Sequence, residues 1–322
     1  AVALLGVGLA MMIRKRRRAL IVAFIVLGML SLPYPANRGL RLTMLDVGHG
    51  DSLTLRFPQG GSMLVDTGGG HNDAHNTRLV NQCLVPALAR QRMSQVDVLV
   101  ITHADLDHVG AARRLLTRIH VGELWLPPCD HQVPAVRSLA AQVLSQGGIV
   151  RLIHAGHPFD WQGVEVTPLW PPVTHRLPSG RCVDGPNASS LVLRLRYAGR
   201  TILLTGDIGT NEEHALSRLY PDLSADVLKV AHHGSRHSTS PEWVARLRPE
   251  VALISGLFRG GRMPPHPSVA ARLMRSGSRT YISGRDGAIS VAISPDGDLT
   301  STPHRGRVTV HQRQRTHGAR PP

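Results

Sequence analysis

From Leu40 the chain sets short apolar runs between glycine-rich turns: LRLTMLDV (40–47), SLTLRF (52–57) and SMLVD (62–66). Runs of this length, bounded by glycine, predict antiparallel strands. Helical periodicity follows over 77–92, 109–119 and 133–146, interrupted by the apolar runs VDVLVI (96–101) and ELWL (123–126). Strands embedded between helices in this way are covered on both faces. The order then repeats. VEVTPLW (164–170), SLVLRLRY (190–197) and TILLTGD (201–207) predict a second group of strands. DVLKVA (226–231) and VALIS (251–255) alternate with helices near 211–219, 241–247 and 268–276, and strands near 279–283 and 288–293 close the body. Two such sheets packed face to face with helices outside make an α/β fold, an αββα sandwich.

Both ends break this pattern. Residues 1–13 and 19–32 are apolar and flank RKRRR (14–18). Each run is shorter than the roughly 20 residues a spanning helix needs, but Pro33, Tyr34 and snorkelling arginines lengthen the second. The reading is membrane segments over 1–38, the end of a longer membrane protein, with Arg14 to Arg18 on the cytoplasmic side. The body, residues 39–300, then lies on the outer face of the inner membrane. A signal peptide built on the same arginines is the alternative, but no small-x-small cleavage site follows it. From Ser301 the chain is basic, contains Pro and Gly and has few apolar residues, so 301–322 are expected to be a disordered tail.

Length and composition agree with a folded domain carrying appendages: 322 residues, 42% hydrophobic. The formal charge of +15 is almost wholly arginine, since Lys15 and Lys229 are the only lysines. Such an excess attracts polyanions or anionic lipid and leaves nucleic acid and membrane as candidate partners. Cys83, Cys129 and Cys182 show no ligand spacing and are odd in number, so they do not fix the redox compartment.

The candidate chemistry is concentrated in Thr102-His103-Ala104-Asp105-Leu106-Asp107-His108-Val109-Gly110, between the strand at 96–101 and a helix. Two imidazoles and two carboxylates that close are costly to gather without a cation, and metal ions accept both donor types. A helix cap by Asp105 or Asp107 is the alternative, but a cap needs one such residue.

This stretch resembles the HxHxDH signature of the metallo-β-lactamase superfamily, with Asp105 in place of the second histidine. The added oxygen ligand moves the expected metals from zinc toward manganese or magnesium. The resemblance implies two divalent ions held by His103, Asp105, Asp107, His108, Asp207 and one of His232 and His233, with Asp207 bridging. A turn aspartate is the plainer role for Asp207 in Thr205-Gly206-Asp207. His266, in a proline-rich loop before a helix, resembles the late histidine of the superfamily, at the metals or beside the scissile group. Asn187 falls where many members place a further histidine, which suggests a weak ligand or a phosphate hydrogen bond.

A wider set of motifs occurs in the order found in the carboxyl-terminal domain of the ComEC family of competence DNA-uptake channel proteins. These are Asp46 to Ser52 (DVGHGDS), Val65 to Gly69 (VDTGG), the histidine and aspartate loop, Leu204 to Asp207, Asp226 to Ser235 (DVLKVAHHGS) and His266-Pro267. His49 replaces the usual glutamine, Ala111 a glycine, and Pro265 a common glycine. The resemblance implies a nuclease that degrades the non-transported strand during DNA uptake, working with the rest of the competence uptake machinery. Asp107, Asp207 and His266 would be catalytic; Asn187, Lys229, Ser235 and His266 would hold phosphate; Asp66 would orient a ligand histidine. Lys229 could equally be a solvated side chain. DNA contacts would be independent of sequence, because phosphate carries no base information. The rivals are a zinc hydrolase of small esters or cell-wall phosphodiesters and a non-catalytic DNA-guiding module.

Overall fold

The computed structural model describes residues 39–173, 185–257 and 265–304. The first half contributes β1 (Leu40–Met44), β2 (Leu53–Arg56), β3 (Ser62–Val65), β4 (Gln95–Val100), β5 (His120–Leu126) and β6 (Ile149–Leu152). The second contributes β7 (Phe159–Trp161), β8 (Val164–Trp170), β9 (Val192–Tyr197), β10 (Arg200–Leu204), β11 (Val227–Lys229), β12 (Val251–Ile254) and β13 (Arg279–Ile282). In each half the early strands pair antiparallel and the later ones, from β3 to β6 and from β10 to β13, pair parallel. The internal repeat expected from the order of apolar runs is therefore present. The chain then crosses back: β14 (Ile289–Ile293) pairs with β1, and β15 (Leu299–Pro303) with β14, giving mixed sheets of eight and seven strands.

Three apolar layers hold this arrangement. Leu42, Leu55, Val98 and Val291 of one sheet meet Leu193, Ile202, Val227 and Leu253 of the other in the central layer. Leu64, Leu99 and Leu124 face the helices outside the first sheet, and Leu203, Leu228 and Ala252 those outside the second. Adjacent residues of β10 and β11 thus point to opposite layers, as a strand buried on both faces requires. Each buried Leu or Val removes apolar area worth about 1.5–3 kcal/mol. This is the αββα sandwich.

Several elements differ from expectation. β6 and β7 are mostly exposed edge strands with no alternating apolar signal. Ser301 to Pro303, assigned to the tail, belong to β15: Ser294-Pro295-Asp296-Gly297-Asp298 turns the chain, and Leu299 and Ser301 are buried against β14. Ser and Thr dominate that strand, so hydrophobicity does not reveal it. The helix expected over 109–119 is two short turns, Leu106–Val109 and Ala112–Leu115. Among the described residues no helix is long and apolar enough to cross a membrane. The membrane segments of 1–38, the tail from 305 and Cys182 lie outside the described residues. Cys83 and Cys129 form no disulfide.

Candidate metal centre

Parallel strands deliver the polar loops to one place. The carboxyl ends of β3, β4, β10, β11 and β12 carry Asp66, the 102–108 loop, Asp207, His233 and Ser255 respectively. A βαβ scaffold places strand ends side by side, so residues distant in sequence converge at that edge.

Among the described residues, four groups of His and Asp have ligand atoms within 4.8 Å of one another: His103, His108 and Asp207; His49, Asp107 and His233; Asp51, Asp207 and His233; Asp51, Asp66 and His108. Asp207 joins the first two. Its Oδ2 stands 3.3 Å from His108 Nε2 and 3.2 Å from His233 Nε2. His233 Nε2 is also 3.2 Å from Asp107 Oδ2. The fit to metal is tested by the imidazoles themselves: Nε2 of His103 and of His108 are buried and face only the carboxylates of Asp105 (3.5 Å) and Asp207 (3.3 Å), with no well-aligned hydrogen bond. A buried ring nitrogen left without a partner costs about 1–3 kcal/mol, a penalty that coordination removes.

Carboxylates and hydroxyls hold the opposite edges of these rings. His108 Nδ1 is 2.8 Å from Asp66 Oδ2, and Asp66 in turn accepts from the amide (2.8 Å) and hydroxyl (2.7 Å) of Thr102. Asp66 thus bonds the His108 ring on the edge away from Asp207. His233 Nδ1 is 3.0 Å from Ser255 Oγ and 3.5 Å from Asp51 Oδ1, and Ser255 also bonds Asp51. Backbone strain accompanies this. Asp66 (φ 58), His232 (φ 50) and His233 (φ 53) occupy the left-handed region, which costs about 1–3 kcal/mol each and persists where surroundings overdetermine it.

The charges are strongly coupled. Burial opposes ionisation of His108, yet Asp207 and Asp66 outweigh it and push its pKa up to about 10. His233 is likewise raised against burial by Asp207 and Asp107. Burial also opposes charge on Asp107, but His233 and His49 hold its carboxyl well below the usual carboxylate range. Protonated imidazoles therefore act as counter-charges to the carboxylates, a role divalent cations take over on binding.

The expected residues divide into those the fold gathers and those it does not. His103, Asp107, His108, Asp207 and His233 converge. Asp105 sits at the rim with its Oδ2 3.5 Å from His103 Nε2. It occupies the cap position of Leu106–Val109 but makes no side-chain capping hydrogen bond, so the cap reading does not explain it. Of the paired histidines, His233 joins the cluster, whereas His232 points to the rim, its Nε2 3.5 Å from Asn187 Nδ2. Ser235 is partly exposed nearby. His266 is exposed and caps the helix Pro267–Arg275 by accepting from Ser268 N; its own amide donates to Gly234 O at 2.8 Å. It belongs to none of the four groups.

Lys229 requires a correction. It is 1% exposed, and its ammonium bonds Asp51, Asp207 Oδ1 (3.3 Å) and Gly206 O (2.9 Å). With those three donors engaged inside the protein it is neither solvated nor presented to phosphate; it is the fixed cation beneath the cluster. Burial disfavours the ammonium, but Asp51 and Asp207 hold its pKa above the ordinary value.

Sequence reasoning assigned no role to Asp51, His49, Ser255 or Asp130. Asp51 and His49 lie in the quoted DVGHGDS run, which the resemblance marks as a motif without giving either residue a role. Ser255 ends an apolar strand and has no local signature. Asp130, in the loop after β5, is buried beside the site, with Oδ2 lacking a hydrogen-bond partner. Burial and nearby Asp105 push its pKa up to about 7, against hydrogen bonds from Ala104 and Ser189.

The model of the metallo-beta-lactamase superfamily matches residues 45–256. ComE operon protein 3 of Bacillus subtilis is 31% identical over 255 residues, covering 76% of this chain and 32% of that protein. Recombination protein 2 of Haemophilus influenzae is 30% identical over 244 residues, covering 75% and 28%. The chain therefore spans about a third of the length of these curated relatives. Among solved structures, the metallo-beta-lactamase fold protein YhfI of Bacillus subtilis is 11% identical with a TM-score of 0.47, covering 75% of this chain and 96% of that one.

Proposed function

The chain belongs to the metallo-β-lactamase superfamily, and on that premise we propose that it is a divalent-metal-dependent phosphodiesterase that cuts DNA. The observation that carries the reading is the carboxylate-rich cluster joined through Asp207, in which Nε2 of His103 and of His108 are buried against carboxylates alone. His103, His108 and Asp207, with Asp105 at the rim, would hold one ion; Asp107 and His233, with Asp207 between the groups, would hold a second. When bound, such ions neutralise charge on a phosphoryl oxygen and lower the pKa of water. Manganese is favoured by the oxygen donors, with magnesium and zinc as the other candidates.

The chain's own residues supply the rest. Lys229 holds the Asp207 carboxylate, and Ser190, whose Oγ accepts from Asp207 N at 3.0 Å, holds its backbone. Asn187, His232 and Ser235, grouped at the rim, are assigned to phosphate oxygens, and His266 to substrate rather than metal. A cleft of about 610 Å³ has Gly110, two residues beyond His108 in sequence, among its lining residues, with Asp73, Arg113, Arg114, Thr117, Gln142 and Ser145. Asp73 holds the Arg114 guanidinium, so Arg113 and the Gln142 amide are the groups offered, with no aromatic side chain, which suits a phosphate backbone more than stacked bases. The similarity to competence proteins supports DNA as substrate and action within an uptake machinery on the strand that is not transported. The apolar segments at 1–13 and 19–32 support placement at the inner membrane with the domain on its outer face.

The test is digestion of single- and double-stranded DNA by the full chain with manganese, magnesium or zinc, beside a nitrophenyl ester and a β-lactam. Metal-dependent DNA cleavage that exceeds ester and lactam turnover supports the reading. Turnover of the small ester alone supports the small-ester hydrolase instead, and DNA binding without cleavage under any metal supports the guiding module.

A further inference from the structure

His49 is carried to the centre by its own turn. Gly48 and Gly50 flank it at positive φ (+84° and +118°), and a Cβ at Gly50 would collide with the carbonyl oxygen of Asp107. The next amide, Asp51 N, donates to that same oxygen at 3.2 Å. Only a glycine permits this approach, so the turn is pinned to the loop that bears Asp107. The His49 ring consequently lies 4.7 Å from that of His233, and its Nε2 is 3.3 Å from Asp107 Oδ2. Its Nδ1 is buried with no hydrogen-bond partner.

The group of His103, His108 and Asp207 and the group of His49, Asp107 and His233, linked by Asp207, differ in exposure. His103, His108 and Asp207 are all buried, whereas His49 and Asp107 are partly open, with side chains 38% and 26% exposed. One position is therefore sealed and the other faces solvent. Without His49 the open position has a single imidazole, from His233; with it, it has two imidazoles and a carboxylate. Imidazole suits zinc and cobalt, whereas all-oxygen surroundings suit manganese and magnesium.

We propose that His49 is a direct ligand of the solvent-facing metal position, where its imidazole raises the affinity for zinc and cobalt more than that for manganese. The inference rests on the metal-dependent reading above. It assigns different exchange behaviour to the two positions: the sealed ion is retained, and the open one is lost first to a chelator.

The experiment is a competitive-chelator titration of the full chain with zinc, cobalt and manganese, comparing the unmodified protein with His49→Gln and His49→Ala. Visible absorption of the cobalt form is recorded at each equivalent. Loss of a partner that merely supports a ligand costs about 10–100-fold in metal affinity. Removing a ligand is therefore expected to weaken the second zinc or cobalt equivalent by about 100-fold, with a smaller loss for manganese and the first equivalent unchanged. The absorption of the second cobalt is expected to shift in both variants, while the urea midpoint of the chelated protein stays the same because His49 is partly exposed. An unaltered second-equivalent affinity and cobalt spectrum in His49→Gln overturns the proposal. An unmodified chain that binds a single ion also overturns it and leaves metal-dependent hydrolysis standing. A chain that binds no divalent ion overturns both.

Discussion

Replacing Lys229 by Met is the sharpest perturbation of the framework beneath the centre. The substitution keeps most of the buried stem and deletes the ammonium, leaving Asp51 and part of Asp207 without their cation at 1% and 3% exposure. Removing one partner of a buried ion pair costs about 3–5 kcal/mol, because the remaining charge stays desolvated. With a urea dependence of about 3 kcal/mol per molar, the midpoint of the chelated protein should fall by about 1 M or more. Chelation matters here, since bound metal stabilises the native state by mass action and would mask the loss. Adding Asp51→Asn removes the stranded charge yet retains a group able to accept from Ser255. The double variant should then be more stable than the sum of the single losses by about 1–3 kcal/mol. A loss below about 1 kcal/mol in Lys229→Met, or additivity within about 0.5 kcal/mol, would refute the reasoning.

Other predictions follow from the same cluster. Asp66→Asn weakens the carboxylate that orients His108 and should lower metal affinity about 10–100-fold without removing a ligand, measurable by chelator competition. The pKa of His108, raised to about 10 in the folded chain, contributes stability to the metal-free protein that is fully present below about 6.5 and is lost as pH rises toward 10. Metal binding at pH 7 to 8 should therefore release protons, seen by calorimetry in buffers of different ionisation enthalpy; no buffer dependence would count against it. Asp130 is raised to about 7, so its contribution is present below the ordinary aspartate range and lost as pH climbs through 7. Asp130→Asn should stabilise the metal-free protein at pH 8 and do nothing near pH 3, as read by thermal melting.

Much of the framework was legible before any coordinates. Apolar runs such as VDVLVI and TILLTGD are long enough to specify buried strands, and their repeated order announced two sheets. The 102–108 loop was legible because four donors within six residues have no cheaper explanation than a cation. Contacts between distant residues were not legible. Nothing near Lys229 in sequence shows that Asp51, 178 positions earlier, will lie against its ammonium; that pairing exists only because the two sheets pack together and bring the segment between β1 and β2 to the end of β11. Similarly, His232 and His233 are indistinguishable as letters. Left-handed backbone at both residues turns one ring inward and the other toward Asn187. The strand at Leu299–Pro303 escaped because its pairing is carried by backbone hydrogen bonds and a turn, not by an apolar face.

The central claim is that a cluster joined through Asp207 performs metal-dependent cleavage of DNA. Its most direct test is DNA digestion by the full chain with manganese, run beside Asp207→Ala with circular dichroism of both proteins. The expected result is cleavage by the unmodified chain that a chelator stops, and none by Asp207→Ala at unchanged secondary structure. Equal cleavage by the two proteins, or none by the unmodified chain under any divalent metal, contradicts the account.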